Sequence, residues 1–268
     1  MTFQPVIPMG GLVGWAFLNR TIERQSAVFE AAPEIQRDTE YFAEKIGEIE
    51  TAEQLVADRR LLGVALGAFG LQDDIGNRFF VRKMLEEGTI NPESFANRMA
   101  DDRYLAFSKA FGFGDFGVPR TKLSTFPDEI VSLYETRSFE VAVGEQDESL
   151  RLALNASREL AEMAKQGGSD DALWFRVMGN APLRTVFETA FGLPDGFGQL
   201  DLDQQLDVFR DKAERQLGHG EISQFSDEAA VERLVQTFLV RAQVAEAPTA
   251  IAGRIALTLL QTSPVAQL

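Results

Sequence analysis

The chain has no cysteine and a single histidine among its 268 residues. Without cysteine it can form no disulfide, no thiolate nucleophile and no Cys-ligated zinc site. One histidine excludes multi-His metal sites. His219, between Gly218 and Gly220, also lacks the G-x-S-x-G nucleophile elbow that would suggest a Ser-His-Asp arrangement. It reads as a partner for the carbonyls at a helix end. Positive charge is scarce: 26 Lys and Arg face 41 Asp and Glu, for a formal charge of −15. Nucleic-acid binding needs a basic footprint, so that class is excluded, and anionic membrane surfaces are disfavoured. No apolar run reaches the ~18 residues that span a bilayer. The most apolar segment, residues 251–260, is interrupted by Gly253 and Arg254. The opening MTFQPVIPMGGLVGW has two early prolines and no basic residue before its apolar part, unlike a secretory signal. No stretch alternates with β-branched residues over five positions, so strands are not expected.

What is present is helical periodicity, and an all-α fold of about twelve helices is expected. The strongest stretch is 51–80. Thr51 and Gln54 form the T-x-x-Q capping box. Leu55, Leu62, Leu66 and Phe69 then make one stripe, widened by Leu61, Ala65 and Ala68. Gly70 is placed to stop this helix, and Asp73 or Asp74 to cap a second one with Ile75, Phe79 and Phe80 inward. A helix over 11–32 puts Leu12, Trp15, Leu18, Ile22 and Phe29 on one side. Asn91-Pro92, Asn180-Pro182 and Asp201 or Asp203 are further start signals.

Residues 112–127 hold three glycines and a proline before Pro127, the best boundary in the chain. The expected organisation is an N-terminal lobe (1–118), a C-terminal lobe (127–245) and a terminal helix or tail (246–268), the lobes sharing a core. Ala68-Phe69-Gly70-Leu71 recurs as Ala190-Phe191-Gly192-Leu193, 122 residues later, with similar flanks. That points to repeat-related lobes. Any helix ending on an apolar residue before Gly gives the same four letters, so the match alone does not decide it.

The motifs that carry chemistry elsewhere are weak here. Residues 112–117, GFGDFG, match G-x-G-x-x-G, but they follow a helix and run into Pro119, not from a strand into a helix. Asp195, Asp201, Asp203 and Asp207 are the densest acidic group, a candidate divalent-ion site without EF-hand register. Asp58-Arg59-Arg60 and Asp101-Asp102-Arg103 read as ion pairs between helices. No cofactor is expected. For partner contact the candidates are Trp15, Leu18 and Ile22 in the first helix, Phe113 and Phe116 in the glycine-rich turn, and Ile255 and Leu259 near the C-terminus, in helix-in-groove fashion.

Several long motifs resemble the domain of unknown function 1217 family, an uncharacterised and mainly alphaproteobacterial group. They are GGLVGWAFLNRT with Gln25, RDTEYF (37–42), TAEQLVADRRLLGVALGAFGL (51–71), FANRMADDRY (95–104), FEVAVGEQDESLRLALN (139–155) and WFRVMGNAPLRTVFETAFGLP (174–194). The resemblance implies an all-helical fold and, because such genes often lie among flagellar genes, a role in flagellar assembly or motility. It supplies no catalytic residue. The expected function is non-enzymatic protein–protein contact with flagellar components, in the cytoplasm or after export without a cleaved signal peptide. The alternative is binding of a small molecule or a divalent ion.

Overall fold

The computed structural model describes residues 3–246. The first seven helices are α1 (Gly11–Glu30), α2 (Pro33–Lys45), α3 (Ala52–Ala57), α4 (Arg59–Gly67), α5 (Arg78–Glu87), α6 (Phe95–Arg98) and α7 (Asp102–Phe111). Six more follow: α8 (Phe126–Gly144), α9 (Glu148–Gln166), α10 (Asp170–Gly179), α11 (Ala181–Phe191), α12 (Leu202–Leu217) and α13 (Glu228–Glu246). Among the described residues there is no strand, and the all-α expectation holds.

The Thr51 capping box forms as expected. The single helix expected over 51–69 does not, because Asp58 breaks it. Asp58 takes an extended conformation, and its carboxylate accepts from the amides of Arg60 and Leu61, ending α3 and starting α4. An Asp that can bond the backbone this way competes with the helix it sits in. Asn180 does the same between α10 and α11, accepting from the Leu183 amide.

These two breaks frame the repeat. In each unit a capped kink leads to a helix that ends at a glycine with left-handed backbone, Gly70 at φ +69° and Gly192 at φ +63°. The next amide reaches back five residues in both: Leu71 to the Leu66 carbonyl and Leu193 to the Glu188 carbonyl, each at 2.9 Å. α2 packs on α4 and α8 as α9 packs on α11 and α13. The first unit inserts α6 and α7 where the second has only the turn Ile222–Ser226. Gly114 belongs to that insertion. It lies so close to Gly88 that a Cβ would fall 2.4 Å from the Gly88 nitrogen.

The shared core takes the form of two clusters of buried side chains strung on α8. Phe126 and Ile130 belong to the first, with Phe42, Leu62 and Phe107; Phe139 and Val143 belong to the second. The second is centred on Phe187, whose ring meets Trp174 (5.3 Å), Phe191 (5.5 Å) and Phe225 (5.7 Å) edge-on. α1 joins this second cluster through Trp15, Leu18 and Phe29, although the sequence boundary assigns it to the N-terminal lobe. Periodicity shows that a helix has a buried face but not which partner covers it.

Two inward assignments and one cap are corrected. Phe79 is 79 % exposed, and Leu12 also lies on the surface. Asp73 and Asp74 lie in a 3-10 turn, and α5 begins after Asn77 without a side-chain cap. The Asp74 carboxylate instead accepts from the hydroxyl of Tyr104 at 2.7 Å. Burial and that carboxylate push the Tyr104 phenol up to about 12. Tyr41, bonded to Asp58 at 2.7 Å, is also raised, as is half-buried Tyr134. All three tyrosines of the chain therefore ionise later when folded. A raised folded value gives stability that is complete below the ordinary pKa of ~10 and is lost as pH climbs through the folded value. Phenolate absorbance at 295 nm is expected to lag in native protein relative to unfolded chain, with Tyr104 last and absent from the late phase in Tyr104→Phe.

Candidate functional site

Two concavities stand out: a cleft between the lobes and a groove in the second lobe. The cleft has a volume of about 650 Å³ and is walled by the Gly70 turn, α8, α9 and the start of α11. Arg103, at the start of α7, is held by Asp101, which accepts from its Nε and Nη2 at 3.0 and 2.7 Å. Its Nη1 donates to the Gly70 carbonyl. Arg137 comes to the same point from α8: a Cβ on Gly70 would lie 3.3 Å from Arg137 Nη1 and 3.4 Å from Arg103 Nη1. Glycine thus serves both the left-handed turn and the approach of two guanidinium groups.

Behind them lies a chain of buried ion pairs. Arg137 Nη2 donates to Glu159 Oε1 at 2.7 Å, and Arg158 Nη1 donates to the same oxygen at 2.8 Å. Arg158 then grips Glu140 with Nε and Nη2, at 2.8 and 3.1 Å. Burial alone would push the Glu159 carboxyl up, but Arg158 and Arg137 overcome it and hold it below the usual range. Burial also works against the charge on Arg158, yet Glu140 and Glu159 raise its proton affinity further. Arg137 goes the other way, lowered by burial and then by the neighbouring Arg158. Arg137 Nε and Asn155 Oδ1 are buried without a hydrogen-bond partner.

The groove, about 770 Å³, runs between α1, α8, α9 and α13. Trp15, Ile22, Phe139, Leu154, Phe225 and Val231 line its floor, and Glu30, Lys165 and Glu228 stand at its rim. The Trp15 indole N–H donates to the Glu232 carboxylate at 3.0 Å, tying α1 to α13 at the groove wall.

The model of a protein family of unknown function, DUF1217, matches residues 68–231 of the chain. The chain belongs to this family. A crystal structure of protein AGR_C_984 from Agrobacterium tumefaciens shares the fold. It is 24% identical, with a TM-score of 0.72 over 91% of this chain and 100% of that one. No curated protein matches the sequence. The DUF1217 match runs from the end of α4 to the start of α13, so it takes in the cleft and most of the groove-lining residues.

Within this DUF1217 chain the expected partner residues separate. Trp15 and Ile22 line the groove, whereas Leu18 is fully buried in the second cluster and cannot meet a partner. Phe113 is half-buried and stacks on Phe111 at 5.8 Å; Phe116 is 54 % exposed. Ile255 and Leu259 lie outside the described residues. Asp195, Asp201, Asp203 and Asp207 are exposed. Among the described residues no three acidic or His side chains gather to hold a metal ion. Asp201 stands at the start of α12 without a side-chain cap bond. Asp115, inside GFGDFG, accepts from Thr89 Oγ1 at 2.8 Å and from the Ile90 amide at 3.0 Å, so it ties two loops together. His219 is exposed, and its carbonyl accepts from Gln224. Of the expected pairs between helices, Arg60 pairs with Asp38 of α2 at 2.9 Å, whereas Arg103 pairs locally with Asp101. Among the described residues no helix is long and apolar enough to cross a membrane.

Sequence reasoning missed Arg137, Asn155 and Glu159. A faint signal existed: Arg151, Asn155 and Glu159 recur every four residues along α9, a polar line next to its apolar stripe. That pattern reads as a solvated face until α8 is seen to cover it.

Proposed function

We propose that this protein is a non-enzymatic binding protein that holds a helical segment of a protein partner in the groove between α1, α8, α9 and α13. The observation that carries this reading is the groove itself. It is an apolar floor with three aromatic side chains and a partly acidic rim, open along one side of a four-helix wall. An amphipathic helix lays its apolar ridge into such a groove, and Trp-lined grooves are favoured anchor sites. Glu30 and Glu228, on a chain of net charge −15, favour a helix with basic flanks. The resemblance to flagellum-associated relatives makes a flagellar component the partner to test first. The protein would then work in the cytoplasm, or in the flagellum if it is exported without a cleaved signal; sheared flagellar fractions separate the two.

Ala161 lies on the groove wall, half-buried. Arginine keeps helix propensity there and fills the opening. A deletion strain is expected to lose swimming, and Ala161→Arg, with an unchanged Tm, is expected not to restore it. Full complementation by Ala161→Arg would remove the groove from the function. Normal swimming and filament assembly in the deletion strain would remove the flagellum.

A further inference from the structure

The cleft between the lobes carries unsatisfied chemistry of both signs, independently of the groove. Asn155 is only 3 % exposed and its Oδ1 has no partner; Arg137 Nε is buried and equally unpartnered. The two belong to one place. Asn155 lies one helical turn before Glu159, the carboxylate that holds Arg137. Both residues line the cleft with Arg103, whose guanidinium shares the Gly70 corner with that of Arg137. A buried polar atom left without a hydrogen bond is costly, so a pair of them in one cavity asks for a ligand that satisfies both.

The needs are opposite. Arg137 and Arg103 offer N–H donors to an anionic oxygen, and the first turn of α11, through Ala181 and Pro182, adds the positive end of a helix dipole. Asn155 Oδ1 needs a donor, and the exposed carboxylates of Asp73 and Glu145 stand at the mouth. A simple anion such as phosphate would meet those carboxylates, and a simple cation would meet the two guanidinium groups. A small molecule carrying both charges satisfies each end.

We propose that the interlobe cleft binds a free amino acid, its carboxylate at Arg137 and Arg103 and its ammonium at Asn155 Oδ1, facing Asp73. The ligand would bridge the Gly70 turn, α8 and α9, and so join the two repeat units that meet there.

The test is thermal shift and calorimetry on the full chain with a panel of L-amino acids, each beside its N-acetyl and carboxamide forms. At saturation one or more free amino acids are expected to raise Tm by about 2–4 °C, and neither blocked form is. Asn155→Leu removes the acceptor without exposing a charge and is expected to weaken binding roughly ten-fold or more. Asp73→Asn, at an exposed position that leaves the fold intact, is expected to weaken it several-fold. The proposal fails if no amino acid shifts Tm. It fails equally if a blocked form binds as well as the free one, or if both variants bind like the wild type.

Discussion

Arg158→Met is expected to destabilise the protein by about 3–5 kcal/mol, the usual cost of breaking a buried ion pair from one side. The variant leaves the Glu140 carboxylate, 8% exposed, without the guanidinium that grips both its oxygens. It leaves Glu159 with Arg137 as its remaining ion-pair partner. Removing both ends of the Glu140 pair is a different perturbation, because no uncompensated charge stays behind. The double variant Arg158→Met/Glu140→Leu is therefore expected to be more stable than Arg158→Met alone. Urea titrations of the wild type, Arg158→Met, Glu140→Leu and the double variant measure this. A double variant as unstable as the sum of the single ones would show that the pair is not the unit.

The same network sets the acid side of the stability curve. Glu159 is held below its ordinary value when folded. Its contribution is complete above the unfolded carboxyl pKa of ~4.3 and is lost as pH falls through the folded value. Arg158→Met removes one of the two guanidinium groups that depress it, so the midpoint of acid unfolding is expected to move to higher pH. A pH series of circular dichroism at fixed temperature reads the shift.

Phe187→Ala is expected to be comparably severe, at about 3–5 kcal/mol and a loss in Tm on the order of 10 °C. Phe187 is fully buried and its ring meets those of Trp174, Phe191, Phe209 and Phe225. Truncation removes those contacts and leaves a cavity that rings from four separate elements cannot close together. Phe79→Ala is the control. The side chain is as large but 79 % exposed, so its loss is expected to change stability by no more than about 0.5 kcal/mol. Similar losses for the two variants would mean that Phe187 is not the centre of the second cluster.

The chain's sequence announced its helices because capping and helix stops are local chemistry. Thr51 with Gln54, Asn180 with Pro182, and glycines 70 and 192 each act within five residues, and each does in the structure what its letters imply. Asp58 escaped because its side chain could equally have pointed into solvent from an unbroken helix. Phe79 escaped because it adjoins Phe80, and only packing decided which of two neighbouring rings faces inward. The candidate sites were less legible. Trp15 and Ile22, which helical spacing places on one face, do line a groove, but that groove exists only because α8, α9 and α13 come to lie beside α1.

By itself the sequence determined the class of the molecule: helical, acidic and without thiol chemistry. It fixed these because composition and i to i+5 contacts need no knowledge of what lies across the chain. Tertiary structure decided the rest. It set α1 against the C-terminal helices, strung two clusters on α8, and brought Arg137, Glu159 and Asn155 behind the Gly70 turn. Charges at such sequence distances interact only after burial strips their water, and which ones are buried together is settled by packing, not by spacing. The stretch from Thr51 to Phe80 shows both sides: its caps and its glycine stop were written locally, while the two arginines that meet at Gly70 came from α7 and α8.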